Sequence, residues 1–130
     1  MVIDTSAVLA IFLAEPERKE FLDLILQSGK RLVSAASVLE SGIVLESKRG
    51  ESAGREFDLF VGRTNLEVVP VDADQIEIAR SAWRNFGKGR HPAGLNFGDC
   101  FTYALAKWSG EPVLAKGDDF VKTDLEFCGS

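Results

Sequence analysis

The sequence predicts an α/β fold with a mostly parallel central sheet of four to five strands flanked by helices. Short runs rich in β-branched residues, each too short for a helix, recur along the 130 residues and predict buried strands. Longer segments with apolar residues three and four positions apart lie between them and predict amphipathic helices. This alternation is typical of crossover units, in which helices cover both faces of a parallel sheet.

The first predicted strand is Met1-Val2-Ile3, and it ends at Asp4. A helix over 7–13 follows, with Thr5 or Ser6 available as its cap. Asp4 therefore stands where a buried strand ends and a helix begins, and in open α/β sheets ligands bind in that crevice. The alternative is that Asp4 only caps the helix.

Glu40 is the unusual residue of the predicted helix over 35–49, which begins after Ser34 and stops at Gly50. Residues three or four apart share a helix face, so Glu40 points with Ala36 and Ile43. Burying a carboxylate is unfavourable unless it is paired, protonated or bound to a cation. Glu40 is therefore a candidate site residue, unless it lies at the edge of the apolar stripe and reaches water.

The other elements follow from the same patterns. Apolar residues at helical spacing predict helices around 21–26, over 52–63, from about 73 to 86 and over 100–108. Further strands are predicted at 31–33, 66–71 and 112–115, and Pro70 indicates that the third one lies at an edge or ends there. Apolar positions around Phe57 and Phe60 are candidates for a dimer surface.

Composition excludes several classes of protein. A net charge of −5 argues against general polyanion binding. Two cysteines and one histidine, without a paired motif, exclude a zinc site of Cys and His. No apolar run reaches transmembrane length and the first strand starts at Met1, so we expect a single domain over 1–130, without a signal peptide and cytoplasmic.

The charge is unevenly distributed. Between Ala79 and Gly98 there is no acid, and the basic residues of this segment are Arg80, Arg84, Lys88 and Arg90, beside His91. Residues 87–94 form a loop by composition. We predict that Arg84, Lys88, Arg90 and His91 form a phosphate-contacting surface; the alternative is a solvated connector, in which His91 is a surface contact rather than a general acid or base.

Two further carboxylates stand at element ends. Asp99 lies in the first turn of its helix, where an acid stabilises the helix dipole. Asp118 and Asp119 follow the last strand, where aspartate is also common as a turn residue. Because only one of the pair is expected to point inward, we favour Asp118, which is nearer the strand end, and keep Asp119 as the alternative.

Asp4, Glu40, Asp99 and Asp118 are predicted to converge on one crevice, because right-handed crossovers bring the strand ends to one edge. Two like charges about 4 Å apart repel by roughly 4 kcal/mol at an effective dielectric of 20, so protons or a cation must neutralise the group. Oxygen ligands alone favour Mg²⁺, or Mn²⁺ in its place. Such ions activate water for attack on phosphoryl groups, so an acidic pocket beside a basic loop predicts a nuclease.

At this point the ordered motifs resemble a PIN domain: Val-Ile-Asp-Thr-Ser over 2–6, Glu40, Phe-Gly-Asp over 97–99, and Lys-Gly-Asp-Asp-Phe over 116–120. The run from Gly87 to Cys100 is especially similar to VapC-type toxins of bacterial toxin–antitoxin pairs. The resemblance implies a PIN-like three-layer fold and a Mg²⁺-dependent endoribonuclease that cleaves structured RNA, either tRNA or rRNA. It implies a homodimer neutralised by a VapB-like antitoxin. The site residues it implies are the metal ligands Asp4 and Asp99, the completing acids Glu40 and Asp118, and the orienting hydroxyl of Ser6.

Three other classes of protein share some of these features. A receiver-type signalling domain usually has an acidic pair after its first strand and a phospho-acceptor after a middle strand, but Asp4 stands alone and Val69-Pro70-Val71 offers no acceptor. A haloacid-dehalogenase-like phosphatase needs a second Asp where Ser6 stands. A non-catalytic binding module stays open as the third alternative.

Overall fold

A computed structural model describes residues 1–128, so the last two residues of the predicted domain 1–130 lie outside the described part. None of the helices within 1–128 is long and apolar enough to cross a membrane. The elements, in chain order, are β1 (Val2–Ile3), α1 (Thr5–Phe12), α2 (Arg18–Gln27), β2 (Leu32–Ser34), α3 (Ala35–Arg49), α4 (Glu51–Arg63), β3 (Glu67–Val69), α5 (Ala73–Phe86), α6 (Phe97–Ser109), β4 (Val113–Leu114) and a 3₁₀ turn (Phe120–Lys122).

The predicted parallel sheet is confirmed, with four strands in the order β3-β2-β1-β4. The chain builds outward from β1 to β3 and then returns to the other side of β1, so the strand order reverses between β1 and β4. In doubly wound sheets this switch point, at the carboxyl ends of the strands, is where ligands bind. β3 lies at an edge, as Pro70 predicted, and an isolated parallel bridge from Val113 to Phe127 extends the opposite edge.

Two apolar cores lie on opposite faces of the sheet. Alternate strand residues point to opposite faces, so Ile3 packs with residues of α1–α4 while Val2 packs with residues of α5 and α6. Each fully buried aliphatic side chain contributes about 1.5–3 kcal/mol to the stability of the fold, relative to leaving it exposed to water. The result is the predicted arrangement of three layers, which brings the ends of β1 and β4 together beneath the start of α6.

The candidate dimer surface around Phe57 and Phe60 stays a prediction: Leu59 of α4 is 53% exposed, but the two rings themselves face α1. Phe57 is 1% exposed, and both rings pack edge-on against Phe12 of α1, with centroids 5.9 and 5.4 Å away. The amphipathic pattern identified the apolar face of α4 correctly. That face is covered by the chain's own first helix, which local periodicity does not reveal.

Candidate active site

Asp4 lies at the carboxyl end of β1, and its side chain is 4% exposed. Its Oδ2 accepts a hydrogen bond from the backbone N–H of Ser6 at 3.0 Å, so Asp4 is the N-cap of α1, in place of Thr5 or Ser6. Burial raises the pKa of Asp4, hydrogen bonds from Thr102 and Ser6 lower it, and the charge of Glu40 raises it. Asp4 is therefore both a cap and a buried carboxylate that faces another acid.

Ser6 connects the ends of the two central strands. Its hydroxyl accepts a hydrogen bond from the backbone N–H of Lys116, directly after β4, at 2.9 Å. The Lys116 ammonium turns away to Glu15 and Glu17, at 2.6 and 3.4 Å. The positive charge of Lys116 is therefore used by the α1–α2 connection, while its backbone holds the β4 end beside Asp4.

Asp99 stands in the first turn of α6, within a capping box formed with Asn96. The Asn96 side chain accepts from the Asp99 N–H at 2.9 Å, and Oδ2 of Asp99 accepts from the Asn96 N–H at 3.0 Å. The pKa of Asp99 is raised to about 7: burial raises it, the hydrogen bond from the Asn96 backbone lowers it, and the charges of Asp4, Asp119 and Glu40 raise it. Asp99 therefore lies in the first turn of its helix, as predicted from the dipole argument, and is also close enough to the other acids to feel their charge.

Glu40 reaches the N-terminus of α6 at Gly98. A Cβ atom at position 98 would lie 2.6 Å from Oε2 of Glu40 and 2.8 Å from Oε1, so any larger residue would force this carboxylate to move. The side chain is half-buried, and its charge acts on both Asp4 and Asp99. The glycine of the Phe-Gly-Asp motif thus has a steric reason.

Asp119 is the fourth acid whose charge acts on this group of carboxylates. It raises the pKa of Asp99, whereas Asp118 is not among the carboxylates that do so. The preference for Asp118 assumed that strand alternation continues past β4. Instead β4 ends at Leu114, Gly117 has a φ of +95°, and Phe120 is buried, so the chain turns before it reaches these residues. Asp4, Glu40, Asp99 and Asp119 are called the acidic site below.

Thr102 is a site residue that the sequence reasoning missed. Its hydroxyl donates to Oδ1 of Asp4 at 2.5 Å, and the side chain is fully buried. It lies three positions after Asp99, on the same face of α6. A hydroxyl on the buried face of an apolar helix was the available signal, because such a group needs a partner.

The chemistry of these side chains fits a hard cation. The donors are all carboxylate and hydroxyl oxygens, and two of the acids have raised pKa values that a cation would reverse. As the side chains stand, no three acids, histidines or cysteines within 1–128 are close enough to share one ion directly. Mg²⁺ keeps several waters and is commonly held by one or two carboxylates, so a hard cation would need only two of these acids as direct ligands.

The basic segment is an internally bonded loop rather than an open connector. Lys88 N–H donates to Leu95 O and Leu95 N–H donates to Phe86 O, both at 2.9 Å. His91 serves this loop, because its Nδ1 accepts from Ala93 N–H at 3.0 Å and its ring packs edge-on against Phe86. The structure thus gives His91 a place in the loop's own framework.

A groove of about 760 Å³ lies between α5 and α6, and its lining includes Cys100, the residue that follows Asp99 of the acidic site. Arg84, Lys88 and Arg90 line it together with Arg80, whereas His91 does not. We call it the basic groove; its other lining residues are Ile76, Ala79, Trp83, Leu95, Asn96, Phe97, Cys100 and Phe101. Three of the four predicted RNA-contacting residues therefore share one surface.

A second apolar surface lies between α3 and α6. It is formed by Leu39 and Ile43, which are 66% and 59% exposed, with Phe97 and Phe101 beside them. Phe97 is 81% exposed and lies between this surface, the α3–α6 face, and the basic groove. Large exposed apolar patches of this kind mark interaction surfaces.

Residues 1–126 match the PIN domain family. The chain is 51% identical over 125 residues to ribonuclease VapC30 of Mycobacterium tuberculosis, covering 96% of this chain and 95% of that protein. It is 53% identical over 125 residues to a ribonuclease VapC of Mycolicibacterium smegmatis, covering 96% and 97%.

Solved structures share the fold. VapC20 of Mycobacterium tuberculosis, a toxin that cleaves the sarcin–ricin loop, superposes with a TM-score of 0.78 at 18% identity over 95% of both chains. The VapBC2 complex of Rickettsia felis, bound to a DNA fragment from its promoter, gives a TM-score of 0.74 at 15% identity over 98% of this chain and 96% of that one. The resemblance seen in the motifs is thus confirmed: the chain belongs to the PIN-domain family, among the VapC ribonucleases.

Proposed function

We propose that this chain is a Mg²⁺-dependent endoribonuclease toxin that cleaves structured RNA and is neutralised by a VapB-like antitoxin. One observation carries the proposal: four carboxylates couple electrostatically at the β1–β4 switch point, directly beside a groove with a cationic rim. The acids alone would repel an RNA backbone. With a divalent ion among them and cations beside them, the same surface attracts it.

Asp4 and Asp99 are the proposed direct metal ligands, and Mn²⁺ can replace Mg²⁺. The bound ion would lower the pKa of a coordinated water and polarise a phosphoryl oxygen. Thr102 and Ser6 hold Asp4 in one orientation through the hydrogen bonds at Oδ1 and Oδ2. A carboxylate that is locked in place before the ion binds loses less entropy on coordination.

Glu40 and the acid after β4 complete the set. We assign that fourth role to Asp119, supported by its effect on the pKa of Asp99, with Asp118 as the alternative. The charges of both acids act on Asp99, and both would accept hydrogen bonds from water near the scissile phosphate. Arg84, Lys88 and Arg90 bind the neighbouring phosphates, and we leave His91 in a supporting role because its Nδ1 is occupied within the loop.

The proposed substrates are tRNA or rRNA, supported by a structural relative, VapC20, that cleaves the sarcin–ricin loop. The proposed location is the cytoplasm, where such RNA is found. An antitoxin partner is supported by structural relatives that are toxin–antitoxin complexes, from Klebsiella pneumoniae and Rickettsia felis.

We further propose that the single domain forms a homodimer through the α3–α6 face. Leu39, Ile43 and Phe97 expose apolar surface there, and Glu40 is the one charged residue among those that line it in the described chain. A two-fold interface places the same patch against itself, so a patch that is mostly apolar suits it.

The test is incubation of the purified protein with total RNA, with and without EDTA, followed by mapping of new RNA ends. We expect discrete new ends that EDTA abolishes and that the Asp4→Asn and Asp99→Asn proteins do not produce, although both fold. Cleavage by either variant at the wild-type rate would overturn the assignment of the acidic site.

A further inference from the structure

The basic groove combines a flat aromatic surface with an apolar floor. Its volume of about 760 Å³ lies within the range of sites that enclose small organic ligands, roughly 300–1,000 Å³. Ala79, Leu95 and Cys100 are buried residues of its floor, and Trp83 is 45% exposed at its wall. Phosphate groups are bound by cations and hydrogen-bond donors, and an apolar floor contributes nothing to their binding. The groove is therefore built for more than backbone contact.

Trp83 is held in place by its neighbours. The guanidinium of Arg90 lies over its ring, 4.3 Å from the centroid. A Cβ atom at Gly87 would lie 2.6 Å from Cδ1 of Trp83 and 2.3 Å from its carbonyl oxygen, so glycine is needed for the loop to pack against the ring. The indole and the guanidinium thus form a preorganised stack, and both are surfaces on which nucleobases stack.

The positive charge of the groove favours an anionic ligand. Arg80, Arg84, Lys88 and Arg90 line it, and no acid does so in the described chain. A second copy docked here by two-fold symmetry would oppose these cations with the same cations, which is unfavourable. A nucleic acid brings phosphates to the rim and a planar apolar base to the floor, and so satisfies both parts at once.

The groove also has a defined position relative to the chemistry. Asn96 lines it and forms the capping box with Asp99 through hydrogen bonds of 2.9 and 3.0 Å. A ligand in the groove therefore lies next to the acidic site. On the basis of the ribonuclease function proposed above, we propose that the basic groove is a subsite for one unpaired nucleobase, which stacks on the Trp83–Arg90 pair next to the scissile phosphate.

This subsite limits the substrate to RNA whose base can leave its helix. A base in a continuous duplex is stacked on both faces and cannot enter the groove, whereas a base in a loop or bulge can. The structured RNA of the proposed function is thus cut in its unpaired parts.

Fluorescence tests the stacking without any cleavage. Trp83 and Trp108 are the two tryptophans of the chain, so a Trp108→Phe protein reports on Trp83 alone. With Mg²⁺ present and the Asp99→Asn substitution added to prevent cleavage, a short single-stranded RNA is expected to quench this fluorescence, while the same sequence in a duplex quenches it much less. Inorganic polyphosphate serves as the probe for charge alone and should bind without quenching. Equal quenching by all three probes, or none by single-stranded RNA, would overturn the subsite.

Kinetics provide the second arm. Trp83→Ala should raise KM for a cleavable single-stranded RNA about tenfold, the size of effect that loss of one stacked base produces, while Trp83→Phe keeps most of the affinity. Trp108→Ala is the matched control, because Trp108 is similarly exposed, at 51%. A substrate with an abasic nucleotide next to the cleavage position should show the same rise in KM with the wild-type protein. With that substrate, Trp83→Ala should raise KM no further.

The outcomes separate the two proposals. Cleavage with an unchanged KM in Trp83→Ala overturns the subsite and leaves the ribonuclease function standing. Quenching by single-stranded RNA without cleavage under any metal supports the subsite and overturns the ribonuclease function. A change in sedimentation of Trp83→Ala with unchanged RNA binding would show that the groove is a protein interface, and would also overturn the subsite.

Discussion

The hydroxyl of Thr102 donates a hydrogen bond of 2.5 Å to Oδ1 of Asp4, across 98 positions of the chain. It ties the middle of α6 to the end of β1 within the buried layer between them. Asp4 would otherwise be a buried carboxylate held by Ser6 alone at its N-cap. The contact therefore sets the orientation of the acid that the proposed mechanism depends on most.

Removal of the Thr102 hydroxyl should weaken the acidic site without disrupting the fold. Thr102→Val keeps the shape of the side chain and removes a hydrogen bond to a charged group, worth about 1.5–3 kcal/mol. We expect the pKa of Asp4 to rise further, so that the acid limb of the pH profile of cleavage moves to higher pH. At neutral pH, cleavage should be slower by a factor of about ten or more.

Two variants serve as controls for Thr102→Val. Thr102→Ser should retain most of the activity, because it keeps the donor. Thr5→Val removes a neighbouring hydroxyl that is buried without a partner in the described chain, and it should leave the activity and the free energy of unfolding nearly unchanged. If Thr5→Val and Thr102→Val lost the same cleavage activity, the effect would come from the loss of a buried hydroxyl in general and not from the hydrogen bond to Asp4.

Asp118 and Asp119 form a natural matched pair. Asp119→Asn should lower cleavage about tenfold or more and lower the pKa of Asp99, because one of the charges that raises it is gone. Asp118→Asn, one position earlier on the same exposed turn, should behave like the wild type. Single-turnover cleavage and Mg²⁺ titration of both proteins decide between them; a larger effect at Asp118 would restore the assignment made from the sequence.

The pKa of Asp99 predicts a dependence of stability on pH. It rises from 3.8 to about 7 in the folded chain, so folding is favoured most when the pH is below about 4, and that contribution is lost as the pH rises through 7. In EDTA, Asp99→Asn should therefore match the wild type near pH 4 and exceed it near pH 8. Because Asp99 is partly exposed, we discount the shift and expect a difference of about 2 kcal/mol in the free energy of unfolding.

Denaturant unfolding at the two pH values provides the measurement. Asn can still accept the hydrogen bond from the Asn96 N–H, so the capping box does not confound the comparison. Added Mg²⁺ should stabilise the wild type near pH 8 and have less effect on the variant. A variant that is less stable than the wild type at both values would contradict the mutual repulsion of the acids.

Gly98 offers a way to move Glu40 without changing its chemistry. A methyl group in Gly98→Ala would meet the flexible end of Glu40, so the carboxylate must shift while the helix is retained. We expect wild-type unfolding and cleavage reduced about tenfold, since an error of about 1 Å at a reacting centre can cost a hundredfold. Gly42→Ala, where the nearest atom is 3.9 Å away, is the control and should leave cleavage unchanged. Full activity in Gly98→Ala would remove Glu40 from the proposed mechanism.

Local patterns in the sequence were enough for the element order, the parallel sheet and the placement of the acids at element ends. Asp4 after the first strand, Asp99 in the first turn of its helix and Pro70 beside an edge strand all follow from propensity and periodicity, which act over a few residues. These features are local, so the sequence alone determined them.

Contacts between distant segments were decided only by the tertiary structure. The strand order β3-β2-β1-β4 puts β4 beside β1, the turn after β4 brings the charge of Asp119 to bear on Asp99, and the packing of α6 against β1 pairs Thr102 with Asp4. Phe57 is buried because α1 covers it, although its own helix would allow either outcome. The physical reason is that burial and electrostatic coupling depend on which surfaces meet in space, and local periodicity carries no information about the surface on the other side.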